Sequence, residues 1–216
     1  MVVQRQRRSQ TVKDMSTPLS DSQYFAMAME ILGESGPEGL TIAALCGRLR
    51  VTKGSFYHHF GGLGEFVHRF LAWWVGESAE LVHQMEAEPD PRRRVELASE
   101  HALAFRHEAE AAIRAWGRSI PEVAAAVRGV DGVRQDYLAW AFEELGLTRA
   151  DSQFFARLSV DVLVGRQSRE ERVDVGQLST AFNRVREMIF AFGERAPAGP
   201  PRPRPARPKP LPVDIP

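Results

Sequence analysis

Cysteine is nearly absent from this 216-residue chain: Cys46 is the one thiol. That excludes an internal disulfide and a multi-cysteine zinc site, and it fits a reducing, cytoplasmic setting. No run of 18 or more apolar residues occurs, so no membrane-crossing helix is expected. The opening stretch MVVQRQRRSQTVKDMS has no apolar core and does not read as a secretory signal. Sustained apolar–polar alternation with β-branched residues is also missing, which argues against strands. So are the signatures of common catalysts: no G-x-S-x-G, no phosphate-cradling glycine loop, no H-E-x-x-H. Glu143–Glu144 and Glu170–Glu171 are adjacent acids at helix ends and read as solvated surface. Neither an enzyme nor a bound cofactor or metal is expected.

Net charge is absent as well, with 28 basic and 28 acidic side chains, but its distribution is uneven. Residues 1–70 carry 8 Lys/Arg against 6 Asp/Glu, residues 71–195 carry 16 against 21, and residues 196–216 carry 4 against 1. A slightly positive front on an acidic body lets one end approach a polyanion, though a net of +2 does not by itself call nucleic acid. Hydrophobic residues at 44% and charged residues at 26% describe an ordinary globular protein long enough to bury a core. Nine of the 14 prolines fall in residues 196–216, so that Pro/Arg-rich segment reads as a disordered or polyproline-II tail. Residues 1–17, with Arg5, Arg7, Arg8 and Lys13, read as a flexible basic arm.

Between these ends the spacing predicts helices throughout. Ser20 with Gln23 three residues on has capping-box spacing. Phe25, Ala28, Met29 and Leu32 then share one helix face, with a stop over Gly33–Gly39. Thr41 and Thr52 are N-cap positions for two short helices, about 41–48 and 52–59. A long helix follows from about Leu63 to Met85. Asp90–Pro91 starts the next, to about Phe105. Further helices are expected over Ala109–Trp116, from about Pro121 to Leu145, from Thr148 to about Val164, and from about Val175 to Phe192.

Two short helices joined by a few residues have helix-turn-helix spacing. In VTKGSFYHHF, Phe56 and Phe60 are four apart and face inward. That leaves Lys53, Gly54, Ser55, Tyr57 and His58 outside, with His59 as a buried or capping histidine beside Phe60. Lys53 and the Thr52 hydroxyl can reach a phosphate or a base edge. Gly54 permits close approach, Ser55 can bond a base, and Tyr57 can donate to phosphate. Cys46 reads as a small buried hydrophobe. His58 and His59 point about 100° apart on a helix, which is poor for chelation. His101 and His107, six apart, read as ordinary surface or pocket histidines.

LTIAALCGRLRVTKGSFYHHF resembles the DNA-binding helix-turn-helix of tetracycline-repressor-like (TetR/AcrR) transcription regulators, through Thr41, Leu45, Val51, Thr52, Gly54, Ser55, Phe56, Tyr57, His59 and Phe60. AIRAWGRSIPEVAAAVRGVDGVRQDYLAWAFEELGL resembles the ligand-binding body of one branch of that family. The resemblance implies an all-α fold: a DNA-binding domain over 18–65 and an effector-binding and dimerisation domain over 66–195. It implies DNA contacts from Thr41, Arg50, Thr52, Lys53, Gly54, Ser55, Tyr57 and His58. Two positions depart from the pattern: Arg50 replaces the usual turn glycine, and Leu63–Gly64 replace the lysine that commonly opens the fourth helix. Arg50 can add a phosphate contact instead, and the Gly61 and Gly62 amides can face a phosphate.

The aromatic residues Trp73, Trp74, Phe105, Trp116, Tyr137 and Trp140 have two readings, packing between helices or the wall of an effector pocket. In the family both hold, so His101, Phe105, Arg114, Trp116, Tyr137 and Trp140, with Arg106 as a further polar anchor, are the expected effector residues. The effector would be small and hydrophobic or amphipathic. The last two helices carry Phe154, Phe155, Leu158, Val162, Leu178, Phe182, Val185, Ile189 and Phe192, and the family implies a four-helix homodimer interface there. The function implied is a ligand-responsive repressor that binds a near-palindromic operator on double-stranded DNA, with the long fourth helix as lever and no membrane partner. The alternative is a helical ligand-binding or interaction protein with weakened DNA binding.

Overall fold

The computed structural model describes residues 19–194. The basic arm 1–17 and the Pro/Arg-rich tail 196–216 lie outside the described residues. Within them the chain forms nine helices and no strand: α1 Asp21–Gly39, α2 Ile42–Leu49, α3 Lys53–His59, α4 Leu63–Glu86, α5 Pro91–Leu103, α6 His107–Gly117, α7 Pro121–Glu144, α8 Arg149–Arg169 and α9 Val175–Gly193. The fold is all-α, as the spacing predicts.

Local chemistry sets most helix starts. The Ser20 amide donates to Gln23 Oε1 at 2.8 Å, and the Thr41 hydroxyl accepts from the Ala44 amide at 3.1 Å. Asp90 accepts from Arg92 beside Pro91, and Thr148 accepts from Asp151. Each cap satisfies an N–H that the first helical turn leaves without a partner.

α1 ends within the expected stop: it breaks at Gly36, where φ is +67°, and adds one turn to Gly39. At Gly33 α6 crosses closely: a Cβ would sit 3.4 Å from the Ala109 amide nitrogen. One boundary differs from expectation. α8 runs on to Arg169 rather than ending near Val164, because Gln167 in its last turns is buried in contact with α6.

One buried cluster runs without a gap from the first three helices, here called the head, into the helices that follow, here called the body. It joins Tyr24, Phe25, Leu45, Phe56 and Phe60 to Phe66, Phe70 and Trp74 of α4, Ile113 of α6 and Val123 of α7. Further along, Met85, Val95, Tyr137, Phe142, Phe155 and Ile189 form a second cluster. Leu163, Leu178 and Phe182 form a third with Phe105 at its edge. α4 therefore buries its first half under the head and carries its second half into the body.

The apolar stripes of α8 and α9 are mostly spent inside the subunit. Phe155, Leu178, Phe182, Val185 and Ile189 are buried, and Leu158 and Val162 pack on them. What remains outside is Phe154, Val175, Met188 and Phe192, with Phe192 edge-on to Phe155 at 5.1 Å. Most of each stripe is therefore packed within the subunit. Burying a helix's widest apolar face in its own core leaves only the flanking positions free.

Candidate nucleic-acid interface and effector cavity

Seven residues are too few for a helix to persist alone in water, so α3 depends on its anchors. Phe56 is fully buried and Phe60 nearly so. Phe56 lies within ring-contact distance of Tyr24, Phe60 and Phe66. Thr52 caps the helix by accepting from the Ser55 amide at 3.1 Å. The outward side then carries Lys53, Gly54, Tyr57 and His58, all exposed, with Tyr57 54% exposed. Thr41, Arg50 and Thr52 are exposed around it.

Ser55 differs from expectation. It is half-buried, and its hydroxyl lies 3.4 Å from Tyr24 Oη on α1. Positions 55, 56, 59 and 60 form the inner stripe of α3, which places Ser55 at the edge of the outward face rather than on it. His59 completes that stripe: half-buried, it pairs with Asp21 Oδ1 at 3.0 Å.

Asp21 also takes the guanidinium of Arg69 on α4. Arg69 in turn donates to the His59 carbonyl at 2.9 Å and lies over the Phe60 ring. This clamp ties α3 to both α1 and α4. Asp21 and Arg69 were not singled out from sequence, because they are 48 positions apart and no local pattern joins them.

The turn before α3 is built on Arg50, at φ 55° and ψ 40°. A left-handed conformation is unfavourable for a residue with a Cβ. Arg50→Gly is therefore expected to raise the unfolding free energy by about 0.5–1 kcal/mol, read as a higher urea midpoint. A lower midpoint would show that the arginine side chain contributes more than the backbone strain removes. Just after α3, the Gly61 amide donates to Glu65 Oε2 at 2.9 Å. That amide is occupied, which corrects its expected role as a phosphate donor. A carboxylate capping the first turn takes up the same group a phosphate would need.

The body holds a cavity among α4, α5, α7, α8 and α9, with about 760 Å³ of empty space, part of it open to solvent. His101, Phe105 and Tyr137 of the expected set line it. Arg114, Trp116 and Trp140 lie outside the lining. Arg114 makes a bidentate pair with Asp131, at 2.7 and 2.6 Å, because α6 packs against α1, α7 and α8 rather than around the cavity. Trp116 packs beneath the head, and Trp140 is buried under the guanidinium of Arg94 at 4.6 Å. Arg106 is exposed and pairs with Glu30.

Beside the cavity lies a buried polar network that sequence spacing did not disclose. Arg134, which lines the cavity, donates twice to Glu110, at 3.0 and 2.5 Å. Gln167 donates to Glu110 and approaches His107 Nδ1 at 3.3 Å, and its oxygen accepts from Arg114. His107, expected at a surface or pocket, is buried here. Burial alone would push the Glu110 carboxyl up. The charge and hydrogen bonds of Arg134, with Gln167 and Arg114, outweigh it and hold the carboxyl below its ordinary value.

Residues 25–68 match the family model described as bacterial regulatory proteins, tetR family. A search of curated proteins by sequence finds no match. Solved structures share the fold at low identity. A transcriptional regulator from Rhodococcus sp. Rha1 is 20% identical, with TM-score 0.65 over 80% of this chain and 97% of that one. A TetR transcriptional regulator from Legionella pneumophila is 11% identical, with TM-score 0.66 over 81% and 97%. The regulator FadR from Bacillus subtilis, in complex with stearoyl-CoA, is 14% identical, with TM-score 0.58 over 80% and 98%.

Proposed function

We infer that the chain is a transcriptional regulator of the tetR family, on the match of residues 25–68 to that family's model and on the shared all-helical fold. It binds DNA through this segment and is not an enzyme. The division into a reading head over 18–65 and a body over 66–195 belongs to this proposal. So do the residue roles.

The observation that carries the assignment is the two-sidedness of α3. Its phenyl rings are spent on the core while Tyr57 stands 54% exposed, beside exposed Lys53 and His58. A short helix with a small, polar and aromatic outer face suits close approach in a major groove. Lys53, Tyr57 and His58 are the groove-side contacts, with Ser55 reaching from the edge. Thr41, Arg50 and Thr52 meet backbone phosphates, and Gly54 leaves room for the groove wall.

The protein works as a homodimer in the cytoplasm, with the outer face of α8 and α9 around Phe154, Met188 and Phe192 in the interface. Twofold symmetry would set two α3 helices about 34 Å apart on a near-palindromic operator. The effector is small and hydrophobic or amphipathic and enters the cavity. A FadR of the same fold is seen with stearoyl-CoA, which supports the cavity as a ligand site. α4 lines that cavity through Ser78, Leu81, Val82 and Met85 and meets the head through Phe66 and Phe70. A ligand that fits one α4 position better than another shifts the spacing of the heads and releases the operator, which makes repression the reading.

Selection from a random duplex pool tests this: a near-palindromic consensus is expected, and a pool that stays unenriched counts against the assignment. Tyr57→Phe is expected to weaken operator binding about five- to tenfold, the loss of one hydrogen bond to phosphate, without lowering the melting temperature. A gel-shift titration at fixed salt with unchanged affinity removes Tyr57 from the interface. A second reading, a ligand-binding protein with blunted DNA binding, draws on the occupied Gly61 amide and the missing lysine at the start of α4. Strong, salt-dependent, sequence-selective duplex binding separates the two.

A further inference from the structure

The polar inventory of the cavity constrains what the cavity can hold. Ser78, Ser99 and Ser159 line it, but each hydroxyl donates to its own helix: to the carbonyls of Trp74 at 3.1 Å, Val95 at 3.2 Å and Phe155 at 2.8 Å. Their protons are spent. Arg134 is matched by Glu110. Arg186 and His101 are only partly buried, and Arg186 donates to Asn183 at 2.8 Å. Among the described residues no carboxylate lines the cavity.

Tyr137 is different. It is 1% exposed and lines the cavity, and no described protein group pairs with its hydroxyl. A buried donor without an acceptor is unfavourable, so a ligand oxygen placed there gains more than the same oxygen gains in water. Around it the lining is apolar: Met85, Val95, Phe142 and Ile189. Burial pushes the phenol above its ordinary value, so it remains a proton donor throughout the working range.

A cation also lies near that hydroxyl. Arg94, outside the lining, stacks on Trp140, donates to the carbonyls of Glu88 and Pro89, has Glu144 at 4.0 Å, and keeps its Nη1 buried without a hydrogen-bond partner among the described residues. In the lining itself Arg186 has the neutral Asn183 as its partner. The unmet donors of Tyr137 and Arg94 both favour a ligand oxygen there.

We propose that the cavity takes a mainly apolar ligand whose oxygen accepts a hydrogen bond from Tyr137. This rests on the reading of the cavity as the effector site and names the chemical class that site selects.

Three probes of one shape test it on the full chain by titration calorimetry at neutral pH: 2-acetonaphthone, 2-ethylnaphthalene and 2-naphthoate. In the wild type the ketone and the carboxylate are expected to bind more tightly than the hydrocarbon. Tyr137→Phe is expected to weaken the ketone about tenfold and leave the hydrocarbon within twofold. The free variant should melt at or above the wild-type temperature, since phenylalanine fills the same space without the unmet hydroxyl. Tightest binding of the hydrocarbon overturns the proposal, as does an equal response of ketone and hydrocarbon to the substitution. A clear drop in the melting temperature does so too, since the hydroxyl would then have a partner in the protein. If none of the three binds, the proposal falls together with the effector-cavity reading, while operator binding measured separately still decides the DNA-binding assignment.

Discussion

Phe56→Ala lowers the unfolding free energy by about 3–5 kcal/mol, the range for truncating a buried aromatic in a packed core. Phe56 is fully buried. Its ring sits 5.2 Å from Phe60, 5.6 Å from Phe66 and 6.0 Å from Tyr24. These neighbours come from α1, α3 and α4, so the void opens where three helices meet. None of the three can shift inward without dragging the Asp21–His59–Arg69 clamp. The loss should therefore fall at the upper end of the range. α3 has only seven residues, and without its anchor it has little reason to stay helical. Operator affinity should fall with it, even at temperatures where the body remains folded. Urea unfolding followed by circular dichroism checks the first effect, and a gel-shift titration checks the second. A midpoint equal to wild type would mean that the ring is not where the core needs it.

Glu110→Gln is expected to destabilise the protein by a similar amount, about 3–5 kcal/mol, for an electrostatic reason. Glu110 and Arg134 are both deeply buried as a bidentate pair. Removing one partner leaves a buried guanidinium without its counter-charge. The amide keeps the shape and can still accept one hydrogen bond, so packing alone would predict almost no change. Glu110→Leu combined with Arg134→Met should recover most of the loss, because replacing both charges removes the desolvation penalty with the attraction.

The pair also has an acid signature. The Glu110 carboxyl is held below its ordinary value of 4.5, so the folded state binds its proton less readily than the unfolded chain does. Its contribution is complete above that value and is lost as pH falls below it, toward the lower folded value. In Glu110→Gln that part of the acid destabilisation should be missing. Chemical denaturation at pH 7 and at pH 3.5 reads both effects. An unchanged difference between the two pH values would remove Glu110 from the acid response.

The helices were legible because their signals are local. Caps at Thr41, Thr52, Asp90 and Thr148 lie within three residues of the groups they satisfy. The inward spacing of Phe56 and Phe60 follows from helix periodicity alone, and so does the outward position of Tyr57. Arg50 in the turn was legible as a strained position from the residue type expected there, and it takes the left-handed conformation. Less legible was the edge of that face. Ser55 turns to Tyr24 because a residue 31 positions away lies beside it.

The helical body holds a cavity, but only part of the set expected to line it does so. His101, Phe105 and Tyr137 face it, while Arg114, Trp116 and Trp140 do not. Periodicity says that a side chain lies on an apolar face; it does not say which neighbouring helix that face meets. The partners Asp131 and Gln167, which occupy Arg114, come from α7 and α8. Likewise the last two helices carry apolar stripes that serve either a subunit's own core or a second subunit, and most of those side chains turn inward.

The sequence by itself determined the helical class, the helix starts and the two-faced short helix, since each depends on interactions within a turn or two of the chain. Only the tertiary structure decided which charges are matched, which aromatics border the cavity, and that Tyr137 holds an unmet donor inside it. Those outcomes depend on side chains that meet from distant helices, where burial makes each missing or present partner count for far more than it would in water.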